Sequence, residues 1–339
     1  MNITAHDKAH ITRLLNQEKR VNWLFNQFIR SISPEMRKWK AVNKNRVWIR
    51  NSAIENKINK RLQVFHDDLE KIISENQKEA WLSALEKNDL IVEKYIKDMA
   101  LSSVVKEGMF TRNLDALTAL QKRVDDGLNL SQRVWRITEQ TKGHVELFLE
   151  SGIATGRSAE AIGRDFRQLL NNPDKRFRRV RDANDKLVLS QPMKDYHPGR
   201  GVYRSSRMNA LRVASTETNM GYRLSDSERW KQLDFVLGYE VKRSANAHPC
   251  PICDSLKGRY PKDFVFPGWH PFCICYAVPV VMDHDDFADF LLHEDIPRNK
   301  IITDIPQRSR LWIEGYNQKS SKPPIFVKQN TSWFENRDT

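Results

Sequence analysis

The sequence predicts a mainly α-helical protein with long helices in its N-terminal half and a small α+β module near its C-terminus. Glycine (13) and proline (14) are sparse among the 339 residues and 29% of the residues are charged, a composition typical of long solvated helices. Apolar residues recur at helical spacing through the first half. All four cysteines fall between Cys250 and Cys275, which indicates a compact module there.

The N-terminal half carries two long apolar stripes, which are typical of core rather than of a cofactor site. The first runs from Ile11 to Phe28, and the second recurs at steps of three and four residues along one helical face. The members of the second stripe are Ile54, Ile58, Leu62, Phe65, Leu69, Ile72 and Ile73. Between the stripes, Ser33, Pro34 and Glu35 supply the cap, first-turn proline and early acid of a helix start, so we expect a new helix there.

Further elements follow along the chain. The remaining expected helices cover 76–100, 111–126, 131–150, 158–170, 207–223, 283–292 and 307–316. Residues 177–189 alternate about the polar tetrapeptide from Asp182 to Asp185, which predicts a short β-hairpin. Residues 235–242 and 276–281 are expected to be strands, one before and one after the cysteine cluster.

The cysteine cluster has the spacing of two metal-binding knuckles. Cys250 and Cys253 form a Cys-x-x-Cys turn, and after sixteen intervening residues His270, Cys273 and Cys275 can close the site. Two thiolates at this separation suit a tetrahedral Zn²⁺. Five candidate ligands compete for four positions, so no position remains for an activated water, and we interpret the zinc as structural.

Two other states of the cysteines stay open, namely two disulfides or free buried thiols. The first residues, from Met1 to Lys8, lack the apolar core of a secretory signal, which favours a reducing compartment and therefore zinc. His248 is interpreted as a neighbour of the first knuckle rather than as a ligand. No stretch approaches eighteen consecutive apolar residues, so we expect no contact with a membrane.

Positive charge concentrates between Lys175 and Arg212. This segment holds eleven lysines and arginines against three aspartates, and it carries +8 of the formal +13 of the chain. Such a patch can neutralise phosphates with salt-dependent affinity that ignores base sequence, which favours contact with nucleic acid. A solvated face, or docking on an acidic protein, is the other interpretation. The candidate nucleic-acid-binding residues are Lys175, Arg176, Arg178, Arg179, Arg181, Arg200, Arg204 and Arg207.

The helix expected over 207–223 is rich in polar residues and has few large apolar ones, so we expect it to bury a structural polar network. Asn219 and Arg223 are four residues apart and can be neighbours on one face, whereas positions five apart cannot. The candidate members of the network are Arg212, Thr216, Glu217 and Asn219.

In the order of these motifs the sequence resembles the phage head-morphogenesis proteins, the Mu F-like and SPP1-type minor capsid proteins. The resemblance rests on Phe-Arg-Arg-Val-Arg at 177–181, Tyr-His-Pro-Gly-Arg-Gly-Val-Tyr-Arg-Ser-Ser at 196–206, Arg-x-x-x-Thr-Glu at 212–217, and the complete Cys/His pattern. It is specific over about residues 145–282 and weaker across the N-terminal helices. Two positions depart from the family, Ile274 and Ser215, where arginine is usual.

The resemblance implies three domains and a structural role. A helical domain covers 1–145, a head-morphogenesis domain with the hairpin insertion and the zinc module (250–275) covers 146–282, and a C-terminal helix and tail cover 283–339. The implied protein is not an enzyme, is made in the bacterial host cytoplasm, and lies in the virion, in the capsid interior or at the portal. Its implied partners are the portal protein, capsid or scaffold proteins, and double-stranded DNA bound without sequence preference during packaging or delivery.

A zinc-supported nuclease of the HNH type is the alternative. Such enzymes also use cysteine knuckles, and His270 could pass for their catalytic histidine, with acids supplied nearby between Met282 and Asp289. That acidic run is explained better as the N-terminus of a helix. The sequence has no Walker loop, His-Glu-x-x-His or Gly-x-Ser-x-Gly motif, so we expect no catalysis.

Overall fold

The computed structural model describes residues 4–38, 51–151, 157–174, 178–199, 202–244, 250–294, 298–317 and 323–334. The helices are α1 (Ala5–Arg37), α2 (Ser52–Ile96), α3 (Ser103–Gly108), α4 (Leu114–Lys122), α5 (Leu130–Glu150), α6 (Ala159–Asn171), α7 (Gln191–Asp195), α8 (Ser206–Lys231), α9 (Pro251–Leu256), α10 (His284–His293), α11 (Gln307–Asn317) and α12 (Ile325–Lys328). The strands are β1 (Arg178–Arg181), β2 (Leu187–Leu189), β3 (Val236–Lys242), β4 (Gly258–Tyr260) and β5 (Tyr276–Val281).

These elements confirm the predicted fold class. Long helices dominate the N-terminal half, and a small antiparallel sheet lies in the C-terminal half near the Cys/His cluster. Of the helices described, none combines the length and the apolar composition that a bilayer span requires.

Helix α1 is longer than the sequence indicates. It continues through Pro34 to Arg37, so the helix start expected at Ser33 is wrong. Ile32 and Met36 are fully buried on one face of this last part, and Ser33 Oγ donates to the Ile29 carbonyl at 2.6 Å. The proline removes one backbone hydrogen bond, and burial of this face keeps the chain helical despite that loss.

Helix α2 joins the two helices that were expected over 54–73 and 76–100. The polar stretch after Ile73 does not end the helix, because Gln77 is fully buried and its Nε2 donates to Glu217 Oε2 at 3.0 Å. The buried face then continues at Trp81 and Leu85. Gln77 therefore occupies a position on the buried face of α2, although the periodicity assigned that face to apolar residues alone.

The chain forms two compact units, each made of separate segments. Unit 1 comprises Met1–Leu15, Glu75–Gln121 and Ser215–Thr339, and unit 2 comprises Asn16–Ser74 and Lys122–Ala214. Because α1, α2 and α8 each supply residues to both units, the units do not coincide with three consecutive stretches of chain. The expected domain boundaries near 145 and 282 stay a prediction.

Unit 2 has a helical core drawn from α1, α2, α5, α6 and the start of α8. The ring of Phe25 packs edge-on against Phe65, with 4.8 Å between ring centroids. Helix α6 approaches α1 closely because Gly163 has no side chain, and a Cβ there would lie 3.3 Å from Ser33 Oγ.

The predicted β-hairpin is present in unit 2. Strands β1 and β2 pair in antiparallel fashion, with Val180 opposite Val188. The turn is held by Asp182, whose Oδ1 accepts from the backbone N–H groups of Asn184 (2.9 Å) and Lys186 (3.0 Å). This is the usual way in which an aspartate closes a tight turn.

Unit 1 contains a three-stranded antiparallel sheet in the order β4-β3-β5, which confirms the two predicted strands and adds β4. Tyr239 in β3 lies opposite Tyr260 on one side and Pro279 on the other. Gly238 has φ 150°, and a Cβ there would lie 2.7 Å from the Tyr260 carbonyl oxygen, so glycine is required. The first knuckle follows β3 and the second precedes β5.

Within unit 1, Gly221 of α8 lies against the backbone of α2. A Cβ at Gly221 would lie 2.5 Å from the Gln77 carbonyl oxygen, whereas a Cβ at Gly143 in α5 would meet nothing within 4 Å. We expect Gly221→Ala to lower the free energy of unfolding by about 1–3 kcal/mol, because backbone atoms cannot move aside cheaply. The control Gly143→Ala should raise it by up to about 1 kcal/mol, because alanine favours helix. Urea unfolding followed by circular dichroism measures both, and equal effects would contradict this packing.

Candidate metal centre

The first knuckle is built at the start of α9. Cys250 precedes the helix with extended backbone, Pro251 takes the first helical position, and the Cys250 carbonyl accepts from the N–H of Asp254 at 2.9 Å. Proline suits this position because its ring presets a helical φ and its missing N–H is not needed there. Cys253 follows three residues after Cys250, which brings both sulfurs to the same side of the first turn.

The second knuckle is the loop that leads into β5. Phe272 has φ 62°, an uncommon conformation for a bulky residue, and the N–H of Cys273 donates to the His270 carbonyl at 3.1 Å. Gly268 has φ 119°, and a Cβ there would overlap Arg223 Nη1. The tight turn and the glycine together bring His270 and Cys273 towards the sulfurs of α9.

The structure brings all five predicted ligands together in two groups that share Cys253. In each group the ligand atoms lie within 4.8 Å of one another, and the groups are Cys250 with Cys253 and His270, and Cys253 with Cys273 and Cys275. Cys253 Sγ is 3.1 Å from His270 Nε2 and 4.0 Å from Cys273 Sγ. Sulfurs bound at tetrahedral angles to one ion, with bonds near 2.3 Å, lie about 3.8 Å apart. The cluster can therefore hold a metal ion.

The imidazole of His270 is oriented as a ligand. Its Nδ1 lies 2.7 Å from the Pro271 carbonyl oxygen, so Nδ1 carries the proton and donates it. Its Nε2 lies 3.2 Å from Cys250 Sγ and 3.1 Å from Cys253 Sγ. Metal-binding histidines commonly use one nitrogen to donate to a carbonyl while the other faces the ion. Both nitrogens of His270 are therefore engaged within this centre.

The pKa values of the Cys273 and Cys275 thiols are shifted in opposite directions. Hydrogen bonds from Cys253 and Cys275, together with the Arg223 guanidinium, hold the pKa of Cys273 well below its usual value despite burial. The hydrogen bond with Cys253 lowers the pKa of Cys275, but the bond to Cys273 and burial outweigh it and raise that pKa to about 12. A bound cation would displace such thiol protons, because metal ligands must be thiolates.

Arg223 of α8 holds the loop of the second knuckle. Its side chain is only 5% exposed, and its guanidinium donates to the carbonyls of Pro267 (2.9 Å), Cys273 (2.6 Å) and Cys275 (2.9 Å). The sequence indicated Arg223 only as a helical neighbour of Asn219. The apolar residues that flank Arg223 in α8 could have indicated its role, because an arginine on a buried face must find several hydrogen-bond acceptors.

A buried charge network lies elsewhere in unit 1. Lys87 Nζ lies 3.3 Å from Asp7 Oδ1 and 2.5 Å from Asp226 Oδ2, with each side chain 3% exposed. Burial lowers the pKa of Lys87, but Asp226, Tyr222 and Asp7 outweigh it and raise that pKa above its usual value. His10 stacks on Tyr222 with 4.1 Å between centroids, and burial lowers its pKa to about 3. The network therefore holds a charged lysine and a neutral histidine.

The residues predicted to form a polar network in α8 contact different groups. Arg212 Nη1 donates to an asparagine one turn earlier in the same helix at 3.0 Å. Glu217 is buried and accepts an amide hydrogen bond from α2 at 3.0 Å, and Asn219 Oδ1 lies 3.0 Å from the imidazole of His10. Thr216 is half-buried. Their role as one network stays a prediction.

The candidate nucleic-acid-binding residues belong to unit 2. Three lie outside the described residues: Lys175, Arg176 and Arg200. Two belong to β1: Arg178 and Arg179. Arg181 Nη1 pairs with Asp185 Oδ2 at 2.9 Å, and Arg204 Nη1 pairs with Asp174 Oδ2 at 2.7 Å. Arg207 Nε donates to an asparagine of α1 at 2.6 Å. Exposed ion pairs are worth little, so phosphates can compete for Arg181 and Arg204.

The acidic run after β5 begins α10, as expected. Asp283 Oδ1 accepts from the N–H of Asp286 at 2.9 Å and caps the helix, while Asp283 Oδ2 lies 2.8 Å from Lys300 Nζ. The hydrogen bond from Lys300 lowers the pKa of Asp283 to about 2. These carboxylates are engaged in capping and ion pairing.

Neither a protein-family model, nor a curated protein, nor a solved structure matches this chain. The resemblance to the head-morphogenesis proteins therefore stays a prediction that rests on the motifs of this sequence.

We expect Arg223→Lys to destabilise the second knuckle, because an ammonium cannot reach three carbonyls and leaves buried acceptors unpaired. The free energy of unfolding should fall by about 2–4 kcal/mol, and a metal ion loaded into the cluster should pass faster to a chromogenic chelator. The control is Arg243→Lys, which affects a partly exposed pair with Asp254 at 2.6 Å and should cost less than about 1 kcal/mol. Equal free energies of unfolding and equal metal-release rates for the two variants would contradict this role of Arg223.

Proposed function

We propose that this chain is a structural minor head protein of a tailed phage, which acts at the portal during head morphogenesis and is not an enzyme. It resides in the virion, in the capsid interior or at the portal, and contacts capsid or scaffold proteins and double-stranded DNA. The observation that carries the proposal is the Cys/His centre, in which protein ligands outnumber the positions of a tetrahedral ion. The order of the motifs, which resembles that of head-morphogenesis proteins, supports the assignment to phage heads.

The proposed ion is zinc. Four thiols and an imidazole are soft and borderline donors, which favour zinc over the hard ions Mg²⁺ and Ca²⁺. Since Cys253 belongs to both groups of ligands, we propose that it is one of the four that bind the ion. The other three positions are filled from Cys250, His270, Cys273 and Cys275.

The role of the zinc is structural. When bound, the ion would join α9 to the loop before β5 and stabilise the folded module. Structural zinc commonly contributes much of the folding free energy of such loops. Five protein donors leave no position for water, so the site has no means to activate a nucleophile.

The nuclease alternative receives less support from the site. A catalytic histidine of the HNH type needs a nitrogen free to act on water, but His270 Nε2 lies against Cys250 and Cys253 and its Nδ1 donates to Pro271. Of the nearby carboxylates, Asp283 caps α10 and contacts Lys300, and Asp286 contacts Lys300. Neither set of groups is arranged around a hydrolytic metal.

The DNA contact is assigned to the basic segment of unit 2. Arg178, Arg179 and Arg181 are residues of strand β1, which is followed by a turn that contains Asp182 and Asp185. Lysine and arginine side chains that displace counterions from phosphates bind DNA without reading bases. Phosphate binding without sequence preference suits a protein that contacts every part of the genome during packaging.

The first test is co-purification with the portal. When the chain is expressed with the head genes of its phage, purified particles should contain it together with the portal protein, as measured by sedimentation and mass spectrometry. A Cys253→Ser chain should be depleted from the particles, because loss of the shared ligand unfolds the module. Recovery of the wild-type chain only in the particle-free fraction would contradict the proposed function.

The second test measures DNA binding and cleavage together. The chain should retard plasmid DNA at low salt and leave it uncut in Mg²⁺ or Mn²⁺. Combined Arg178→Gln, Arg179→Gln and Arg181→Gln should reduce the slope of log affinity against log salt by roughly 2 to 3. The control changes three exposed cations elsewhere in unit 2 to glutamine, namely Lys19, Lys60 and Arg61. Nicking that His270→Ala abolishes would instead favour the nuclease.

A further inference from the structure

Tyr203 is an unusually exposed aromatic residue. It lies in a short 3₁₀ helix, Val202–Arg204, and is 69% exposed, although tyrosine is usually at least half buried in folded proteins. It follows the basic hairpin in the chain and precedes α8. Exposed rings of this kind are common where a flat ligand stacks on the protein.

The backbone at Tyr203 is held firmly. Its carbonyl accepts from Gln140 Nε2 at 2.7 Å and from Asn209 Nδ2 at 2.7 Å. The same amide of Asn209 donates to Gln140 Oε1 at 2.7 Å, which joins α5 to α8 behind the ring. Two residues on, buried Ser205 Oγ donates to the Leu170 carbonyl at 2.8 Å. Ligand binding therefore orders little additional backbone, which lowers its entropic cost.

One face of the Tyr203 ring is covered by a cation. The guanidinium carbon of Arg212 lies 4.9 Å from the ring centroid, and its Nη1 is fixed by a 3.0 Å hydrogen bond to Asn209 Oδ1. Within the described part of the chain, no other ring contact involves Tyr203, and most of its surface is open to solvent. A planar group can therefore stack on the face opposite Arg212.

The charges near Tyr203 favour a nucleobase as that planar group. Arg204 and Arg207 lie beside it in the sequence and can receive phosphates, the former being 41% exposed. An open cleft of about 830 Å³ adjoins this site, shares Gln140 and Arg204 with it, and is lined also by Glu146 and Glu150. These carboxylates repel phosphates, so ionic attraction alone would not hold a nucleic acid at this cleft. Base stacking does not depend on net charge.

We infer that Tyr203 is a stacking platform for an unpaired nucleobase, so that this surface binds single-stranded nucleic acid in addition to duplex DNA. The inference rests on the nucleic-acid contact of the proposed function and refines it. In a duplex both faces of each base are already covered by neighbours, and exposing one costs a few kcal/mol. A strand with unstacked bases has no such cost, and therefore gains the contact with Tyr203.

The test compares a fluorescently labelled oligothymidine of about twelve nucleotides with a duplex of equal length, by anisotropy, on the full chain. Tyr203→Leu should weaken binding of the single strand by about 5- to 150-fold, the range of one stacked base, and change duplex binding less than about twofold. Tyr203→Phe keeps the ring and should bind like the wild type. Trp23→Leu removes a 60% exposed ring from α1 and should leave both affinities unchanged.

Each contrary outcome has a distinct meaning. If both oligonucleotides bind and Tyr203→Leu changes neither, the platform is wrong, the ring serves a protein partner or none, and the proposed DNA contact stands. If Tyr203→Leu weakens both equally, selectivity for unpaired bases is overturned. If the wild type binds neither, the DNA contact of the proposed function fails and this inference fails with it. Unchanged circular dichroism of Tyr203→Phe and Tyr203→Leu excludes misfolding as the cause of any loss.

Discussion

Three hydrogen bonds from one buried guanidinium hold the loop of the second knuckle. Arg223 donates hydrogen bonds to the carbonyls of Pro267, Cys273 and Cys275. These bonds position the thiols of Cys273 and Cys275 beside Cys253 independently of an ion. A buried guanidinium must find hydrogen-bond acceptors for its N–H groups. A loop that contains a glycine and a phenylalanine with positive φ needs such hydrogen bonds to hold its backbone conformation. An ion bound by the sulfurs would therefore constrain the same residues that Arg223 already holds through their backbone oxygens.

Unit 1 combines this centre with other buried charges, whereas the basic surface and the Tyr203 platform belong to unit 2. Lys87 lies between Asp7 and Asp226, and removing the lysine would leave two buried carboxylates without their cation, at a cost of about 3–5 kcal/mol. In unit 2, Arg181 and Arg204 pair with exposed aspartates, Asp185 and Asp174, which phosphates can replace.

The periodic and motif-based parts of this fold could be predicted from the sequence, and the contacts between distant residues could not. Apolar spacing predicted the long helices, and the Cys/His spacing predicted which side chains lie together in one cluster, because both patterns are local. The capping pattern at Ser33-Pro34 predicted a helix boundary that is wrong, since such a pattern carries no information about the burial of Ile32 and Met36. Arg223, Lys87 and the Tyr203 platform depend on pairings across up to 139 residues, which no local pattern reveals.

X-ray absorption at the zinc edge of the purified chain tests the central claim most directly. The account predicts about one zinc per chain in a four-coordinate shell of sulfur near 2.3 Å, with at most one nitrogen near 2.0–2.1 Å and no oxygen. The spectrum should be unchanged when plasmid DNA is added, because the ion has no free position. A chain that retains no zinc, or a shell with an exchangeable water oxygen, would contradict a closed structural site.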